Sequence, residues 1–510
     1  MSSQMKKPMS SVLPAARVTQ AARSWVVPPR PATFWLSMLL SCALVSPLSA
    51  QEHGEGDYVP ETDAKVLSKL EQWQDWKFGF MVHWGPYSQW GVVESWSICS
   101  EDVDWCRRPK GISYVDYVRK YEQLPTTFNP TRFDPAAWAR AAKDAGMKYV
   151  VFTTKHHDGF NMFDTQQTSY RITAADVPFH TDPRANIAKG VFDAFRAQGF
   201  GIGAYFSKPD WHHDDYWAPE WATPDRNVNY DTRRHPERWQ RFVQFTHAQI
   251  GELTSQYGPL DILWLDGGWV NPRAHPDATP GSGKVPWPQD IDMPGLAALA
   301  RRNQPGLIVV DRAVGGRYEN YRTPEQKIPD APLPYPWETC MTLGDSWSYV
   351  PNDNYKSARS VVHMLVDVVA KGGNYLLNVG PDANGELPPV ALERLREIGD
   401  WMDTNGRAIH GSRAIAPYRD GKLRYTRRHD GTVHAIYLAD DGERMPPATL
   451  TIRGPVPAPG AQLRLLGADT PLSWRRDGTK TVIEIPAAVR KQVEGAYAWA
   501  IELPGAAPES

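Results

Sequence analysis

Cysteine is scarce in this chain, with four in 510 residues. There is no CxxC pair and no Cys/His spacing of the metal-binding kind, so neither a disulfide framework nor a structural zinc site organises the fold. Charge of one sign is also missing. The 56 Lys and Arg against 58 Asp and Glu leave a net charge of −2, which offers no electrostatic footprint for nucleic acid or an anionic membrane. The apolar run Phe34–Val45 has twelve residues, short of the roughly 18 that a membrane span needs. No internal repeat is evident, and no GxGxxG or Walker loop follows the first apolar strand. That weighs against a doubly wound nucleotide-binding sheet, the alternative fold here.

What is present begins with a basic leader. Lys6, Lys7, Arg17, Arg23 and Arg30 precede the apolar run, and Pro47-Leu48-Ser49-Ala50 offers a small-residue cleavage point. Residues 1–50 are expected to be a secretory signal peptide, and the protein to be exported, periplasmic or secreted. Lipoprotein processing at Cys42 is the alternative, disfavoured because Cys42 lies inside the apolar run. Export permits a Cys99–Cys106 bridge, whereas Cys340 is expected as an inert buried thiol.

After a linker over 51–64, short β-branched runs alternate with helical segments up to residue 411. The runs are Phe78–His83, Tyr149–Thr154, Ile202–Ser207, Ile262–Asp266, Leu307–Asp311, Trp337–Met341 and Tyr375–Val379. Continuous apolar runs of this length mark parallel strands buried on both faces. Between them, helices are expected near 185–198, 237–257, 293–303, 357–371 and 389–405. A further helix starts at the Asp134 cap with Pro135 in its first turn, and Gly146 ends it. Seven strands with crossovers predict a (β/α)8-like barrel over 65–411. From Ser412 the texture changes to short alternating strands between Asp-Gly, Gly-Pro and Pro-rich turns, which predicts an antiparallel β-sandwich over 412–503 and a tail over 504–510.

In such a barrel, polar residues at the C-terminal ends of the strands line the active site. Here those ends carry His83-Trp84-Gly85, Lys155-His156-His157-Asp158-Gly159-Phe160, Tyr205 with Ser207, Asp210-Trp211-His212, Trp264-Leu265-Asp266, Asp311-Arg312 and Trp337-Glu338. Asp266 stands out. Four largely apolar residues carry it to the strand end, and Gly267-Gly268 lets the chain turn away. A carboxylate there can attack an anomeric carbon. A helix N-cap is the structural alternative, but Gly267-Gly268-Trp269 is a poor helix start.

Together the HWG block, the HHDGF block, the strand-borne Trp264-Leu265-Asp266-Gly267 and Asp311-Arg312 resemble the α-L-fucosidases of glycoside hydrolase family 29. The resemblance runs from about Glu71 to Ile415. It implies a retaining enzyme with Asp266 as nucleophile and a fucosylated oligosaccharide or glycoconjugate as substrate, with no metal or cofactor. It also implies sugar contacts from His83, His156, His157, Tyr205, Trp264 and Arg312, and from Trp347 against the methyl group. Glu94 and Trp96 correspond to the family's EW segment with one residue inserted. The acid/base is the family's variable point: Glu325 is the choice, Glu319 the rival, and Glu338 is expected to order Arg312 or a histidine. The mechanism expects Glu325 to be raised by partial burial so that it can donate a proton.

Three other readings compete. One is a metal-dependent barrel hydrolase with His83, His156, His157 and Asp266 as ligands. It is disfavoured because adjacent histidines in an extended chain point oppositely. The others are a non-catalytic glycan-binding protein and a neighbouring specificity such as α-L-galactosidase. The loop His212, His213, Asp214, Asp215, Tyr216, Trp217 reads equally well as an aglycone wall or as ordinary surface. Linkage preference and oligomeric state are not legible.

Overall fold

The computed structural model describes residues 57–99, 111–278 and 282–506. The leader, Cys42 and Cys106 lie outside them. Seven parallel strands, β1 (Phe78–Val82), β2 (Tyr149–Lys155), β3 (Gly201–Ser207), β4 (Ile262–Asp266), β5 (Ile308–Asp311), β6 (Glu338–Thr342) and β7 (Asn374–Val379), form a TIM-like half-barrel in the order β5-β4-β3-β2-β1-β7-β6. Every residue of these strands is buried, which is why they read as apolar runs rather than alternation.

Between β5 and β6 no regular strand closes the ring. Instead the stretch from Tyr318 to Gln326 bridges both. Glu319 pairs antiparallel with Val310, while Arg322 and Glu325 pair in parallel with Trp337 and Cys340. This irregular stave carries both candidate acid/base carboxylates.

The helices are α1 (Ala64–Trp76), α2 (Tyr114–Glu122), α3 (Pro135–Asp144), α4 (Ile187–Ala197), α5 (Pro236–Gln256), α6 (Met293–Asn303), α7 (Ala358–Ala370), α8 (Pro389–Asn405) and, in the C-terminal part, α9 (Ala487–Gln492). Asp134 caps α3 by accepting from Ala137 N–H at 2.9 Å, and Ser357 caps α7. The sequence reading missed α1 and α2. It also placed Glu61 in a linker, yet Glu61 is buried and pairs with Arg301 at 2.9 Å. None of the helices among the described residues is long and apolar enough to cross a membrane.

The C-terminal part is antiparallel. Its strands are β8 (Ser412–Asp420), β9 (Leu423–Arg428), β10 (Val433–Leu438), β11 (Thr449–Arg453), β12 (Leu463–Leu465), β13 (Pro471–Asp477), β14 (Lys480–Glu484) and β15 (Ala498–Leu503), in the order β11-β14-β13-β12-β15-β10-β9-β8. They fold over their own core of Leu423, Tyr425, Leu450, Ile452, Leu463, Ile483, Trp499 and Ile501. Pro471 and Leu472 pair with β12, while Ser473 onward pairs with β14, so β13 passes from one layer to the other. The sequence reading missed β8 and β13, which bury few of their residues and carry little apolar signal. Ala506, expected in a tail, packs on this core. Toward the barrel, Ile436, Ala498 and Ala500 join the main core, and Trp401 Nε1 donates to Ala498 O at 2.9 Å.

Helix α8 lies close against α3. A Cβ on Gly399 would fall 2.2 Å from the Asp144 carbonyl oxygen and 3.3 Å from Ala145 Cα, and backbone cannot yield as a flexible side chain can. Gly399→Ala is therefore expected to destabilise the fold by ~1–3 kcal/mol, as overpacking does. The check is a lower urea midpoint at unchanged slope. An unaltered midpoint would show that this approach does not hold the helices in place.

Candidate active site

Asp266 ends β4, and the chain then turns at Gly267, whose φ of +89, with a Cβ there falling 2.3 Å from Pro209 Cδ, suits only glycine. The carboxylate is bonded from two sides, with a histidine close by. Arg312 Nη1 donates to Oδ1 at 2.8 Å, Tyr205 OH donates to Oδ2 at 2.7 Å, and His157 Nε2 lies 3.6 Å from Oδ2. Burial pushes this carboxyl up, but Arg312 and the Tyr205 hydroxyl outweigh it and hold the group well below the usual range. The second arm of the same guanidinium, Nη2, donates to Glu325 Oε2. One arginine therefore faces both carboxylates.

Glu319, six residues earlier, has a different setting. Its Oε1 accepts from Ala313 N–H at 3.0 Å, Arg322 Nε is 3.6 Å from Oε2, and the side chain is 2% exposed against 22% for Glu325. Burial pushes Glu319 up to about 7 despite the Ala313 hydrogen bond. Glu338 was expected to order Arg312 or a histidine, and it touches neither directly. It sits at the start of β6 on the barrel floor, accepting from Tyr149 OH at 2.5 Å and Trp264 Nε1 at 3.3 Å. Its effect reaches the site through Trp264, whose ring stacks on Tyr205 at 5.2 Å and lies 5.1 Å from the Arg312 guanidinium carbon.

Three histidines are buried and held by neutral partners. His83 Nδ1 lies 2.7 Å from Asn378 Oδ1, His156 Nδ1 is 2.6 Å from Ser95 Oγ, and His157 Nδ1 is 2.6 Å from Ser207 Oγ. Asn378 Nδ2 donates to Trp347 O at 2.6 Å, which fixes Oδ1 toward His83. The Ser207 hydroxyl donates to Pro209 O at 2.8 Å, so its oxygen is left to accept. In their neutral forms His83 and His157 therefore carry the proton on Nδ1 and keep Nε2 as an acceptor. Burial pushes His83 and His157 down to about 4 and His156 well below its ordinary value.

The argument from strand alternation fails for His156 and His157. Strand β2 ends at Lys155, the chain turns, and the two rings lie 4.3 Å apart on the same side. With Asp266 they present ligand atoms within 4.8 Å of one another. That donor set nonetheless fits a divalent cation poorly, because the carboxylate is already neutralised by Arg312, and two cationic centres would share one small buried space.

Glu94 precedes a short turn over Ser95–Ile98, and Trp96 lies within it. Glu94 N–H donates to Ser348 Oγ at 3.0 Å, and Ser348 donates to Val92 O at 2.7 Å, tying this loop to the one bearing Trp347. Burial pushes Glu94 up to about 8, with the nearby charges of Glu325 and Asp266 adding to it. Trp96 packs edge-on against His157 at 5.3 Å and Trp211 at 5.1 Å, and the Trp347 ring is 5.0 Å from His83. Every predicted site residue thus joins one cluster, apart from Glu319 and Glu338 just outside it.

Other rim residues turn inward. Asp210 pairs with buried Lys155 at 3.1 Å, and Asp311 pairs with buried Lys208. The loop from His212 is consumed by its own packing. His212 stacks on Tyr170 at 3.8 Å, Asp215 pairs with Arg241 at 2.5 Å, and Trp217 lies under Arg226 at 4.1 Å. Cys99 is disulfide-bonded, and Cys340 is a free buried thiol. Sequence reasoning assigned no role to Ser95, Asn378, Ser348 or Trp269, the last 5.3 Å from His157. Asn378 alone left a signal, as a polar residue within the apolar run of β7.

A cleft with two carboxylates on one arginine, imidazole acceptors for hydroxyls and an aromatic lining suits a neutral sugar. Comparison with known proteins agrees. Residues 45–407 match the α-L-fucosidase family. Human tissue α-L-fucosidase is 28% identical over 473 residues, covering 88% of this chain and 92% of its own. The structure of α-L-fucosidase isoenzyme 1 from Paenibacillus thiaminolyticus aligns with a TM-score of 0.68 at 31% identity, covering 88% of this chain and all of that one. A Bacteroides thetaiotaomicron α-L-fucosidase, trapped as a covalent intermediate with 2-fluoro-fucosyl fluoride, aligns at 0.66 with 21% identity over 90% and 99% of the two chains. The chain belongs to the α-L-fucosidases of glycoside hydrolase family 29, and its activity is hydrolysis of α-L-fucosides.

Proposed function

We propose that the reaction is retaining, with Asp266 as the nucleophile and Glu325 as the acid/base. The observation that carries this reading is Arg312, which bonds Asp266 with one arm and Glu325 with the other. It brings the two carboxyls toward the short separation, about 5–5.5 Å, that a double displacement needs. In the first step Glu325 gives a proton to the departing glycosidic oxygen while Asp266 bonds to the anomeric carbon. In the second, Glu325 takes a proton from water, the water oxygen bonds to that carbon, and Asp266 leaves. The trapped intermediate of the Bacteroides relative is in keeping with this course. Glu319 is the weaker choice because its Oε1 is taken by the Ala313 backbone and its Oε2 lies beside Arg322, without the Arg312 bond that ties Glu325 to Asp266.

Around the sugar, His83 and His157 accept hydroxyl protons at Nε2, with His156 beside them. Glu94, Trp96, Tyr205, Trp264 and Arg312 complete the wall. Trp347 faces the methyl group, although an apolar wall alone separates fucose from galactose-like sugars only modestly. Residues 65–411 form the catalytic domain in this reading and 412–503 the accessory one. The basic leader supports export.

Three outcomes are expected. Asp266→Ala abolishes aryl fucoside turnover, and azide restores it with β-fucosyl azide as product; unaltered turnover would remove the nucleophile assignment. Glu325→Ala loses about 10²–10⁴ in kcat/KM on poor leaving groups, much less on good ones, and azide gives α-fucosyl azide. Should Glu319→Ala show that signature instead, the two roles exchange.

The third outcome concerns pH. His83 and His157 go from about 6.5 in the unfolded chain to about 4 in the fold. The unfolded state therefore binds more protons between these values, and stability rises with pH across that window. What the neutral imidazoles contribute is fully present above about pH 6.5 and is lost as pH falls toward about 4, at ~3 kcal/mol per histidine at most. Glu94 and Glu319, pushed up to about 8 and about 7, act in the opposite sense over this range, so the check is differential. Between about pH 7 and pH 5 the wild-type urea midpoint should fall relative to that of His83→Gln/His157→Gln. Equal pH slopes in the two proteins would show these histidines to take up protons alike in the folded and unfolded chains.

A further inference from the structure

We propose that Trp90 is a stacking platform for a pyranose ring of the leaving group, the glycan to which fucose is attached. This rests on the fucosidase activity and not on which carboxyl plays which part. Two tryptophans among the described residues are substantially exposed, Trp90 at 37% and Trp221 at 43%. Trp221 is already attended by the His235 ring at 4.7 Å and the Arg238 guanidinium at 5.6 Å. Among the described residues no ring lies flat on Trp90. Tyr117 meets it tilted by 54° at 5.3 Å, and Tyr121 meets it edge-on at 6.0 Å. An indole held by two tyrosines and still 37% exposed has surface suited to the C–H side of a sugar.

Trp90 lies in the loop that leaves β1 at its C-terminal end. It follows the His83 segment, and the same loop goes on to Glu94 and Trp96. Next to it, Gly91 has a φ of +59, and a Cβ there would fall 2.4 Å from Pro351 Cδ. The loop thus turns against the segment whose Ser348 holds Val92 and whose Trp347 borders His83. From behind, Tyr121 OH donates to Asp158 Oδ2 at 2.7 Å, and Asp158 N–H donates to Ser95 Oγ, the partner of His156. The platform is therefore fixed relative to the sugar-binding histidines before any glycan arrives, and little ordering entropy remains to oppose binding.

The test compares Trp90→Ala and Trp90→Phe with the full wild-type chain on two substrates. One is a fucosylated trisaccharide, and the other is α-L-fucosyl fluoride, whose leaving group has no ring. Trp90→Ala should raise KM for the trisaccharide about tenfold, equivalent to ~1.4 kcal/mol, with fluoride hydrolysis within about twofold of wild type. Trp90→Phe, which keeps an aromatic face, should stay near wild type on both. Equal losses on the two substrates, or no change on either, would overturn the proposal. A wild-type chain inert toward the fluoride would instead overturn the fucosidase activity on which it rests.

Discussion

Arg312 is buried at the mouth of the barrel with a carboxylate on each arm. A guanidinium taken out of water costs several kcal/mol unless its charge is matched and its N–H groups are bonded; here Asp266 supplies the counter-charge, and Asp266 and Glu325 each accept from one arm. The dependence is mutual. Asp266 stays ionised despite its burial because Arg312 is there, as the proposed nucleophile must be. Replacing either partner alone would strand the other's charge in the interior.

The arginine is itself positioned from below. Glu338 on the floor holds Trp264 by its indole N–H, Trp264 lies against Tyr205 and under Arg312, and Tyr205 hydrogen-bonds Asp266. A column of side chains thus runs from the base of the barrel to the reacting centre. Packing this dense fixes geometry because the interior cannot yield by small amounts. Around the column the imidazoles are neutral, bound to an amide and two hydroxyls instead of carboxylates. Protonated rings would repel Arg312 and could no longer accept a sugar hydroxyl at Nε2. Lys155–Asp210 and Lys208–Asp311 keep the remaining buried charges paired.

The irregular stave between β5 and β6 gives the site its second carboxylate. A regular strand would alternate its residues between the barrel interior and the helical layer. Here bridges to β5 at Glu319 and to β6 at Glu325 bend the stretch, so that the first glutamate goes to the Ala313 backbone and the second reaches Arg312. Elsewhere the antiparallel sheet contributes Ile436, Ala498 and Ala500 to the core shared with α7 and α8, on the side of the barrel wall away from its interior.

The seven parallel strands and most helices were legible in the chain because burial on both faces demands unbroken apolar runs, and caps and glycines punctuate helices locally. The rim residues were legible for the same reason: a strand end is a position along the sequence. Strands β8 and β13 were not, since their hydrogen bonds to neighbours rather than an apolar pattern make them strands. Tertiary structure alone decided that His156 and His157 face one cleft, that Glu338 serves Trp264, and that Glu325 rather than Glu319 meets Arg312. Each of these depends on where an aperiodic turn or stave directs a side chain. That is set by contacts between residues distant along the chain, which no local pattern records.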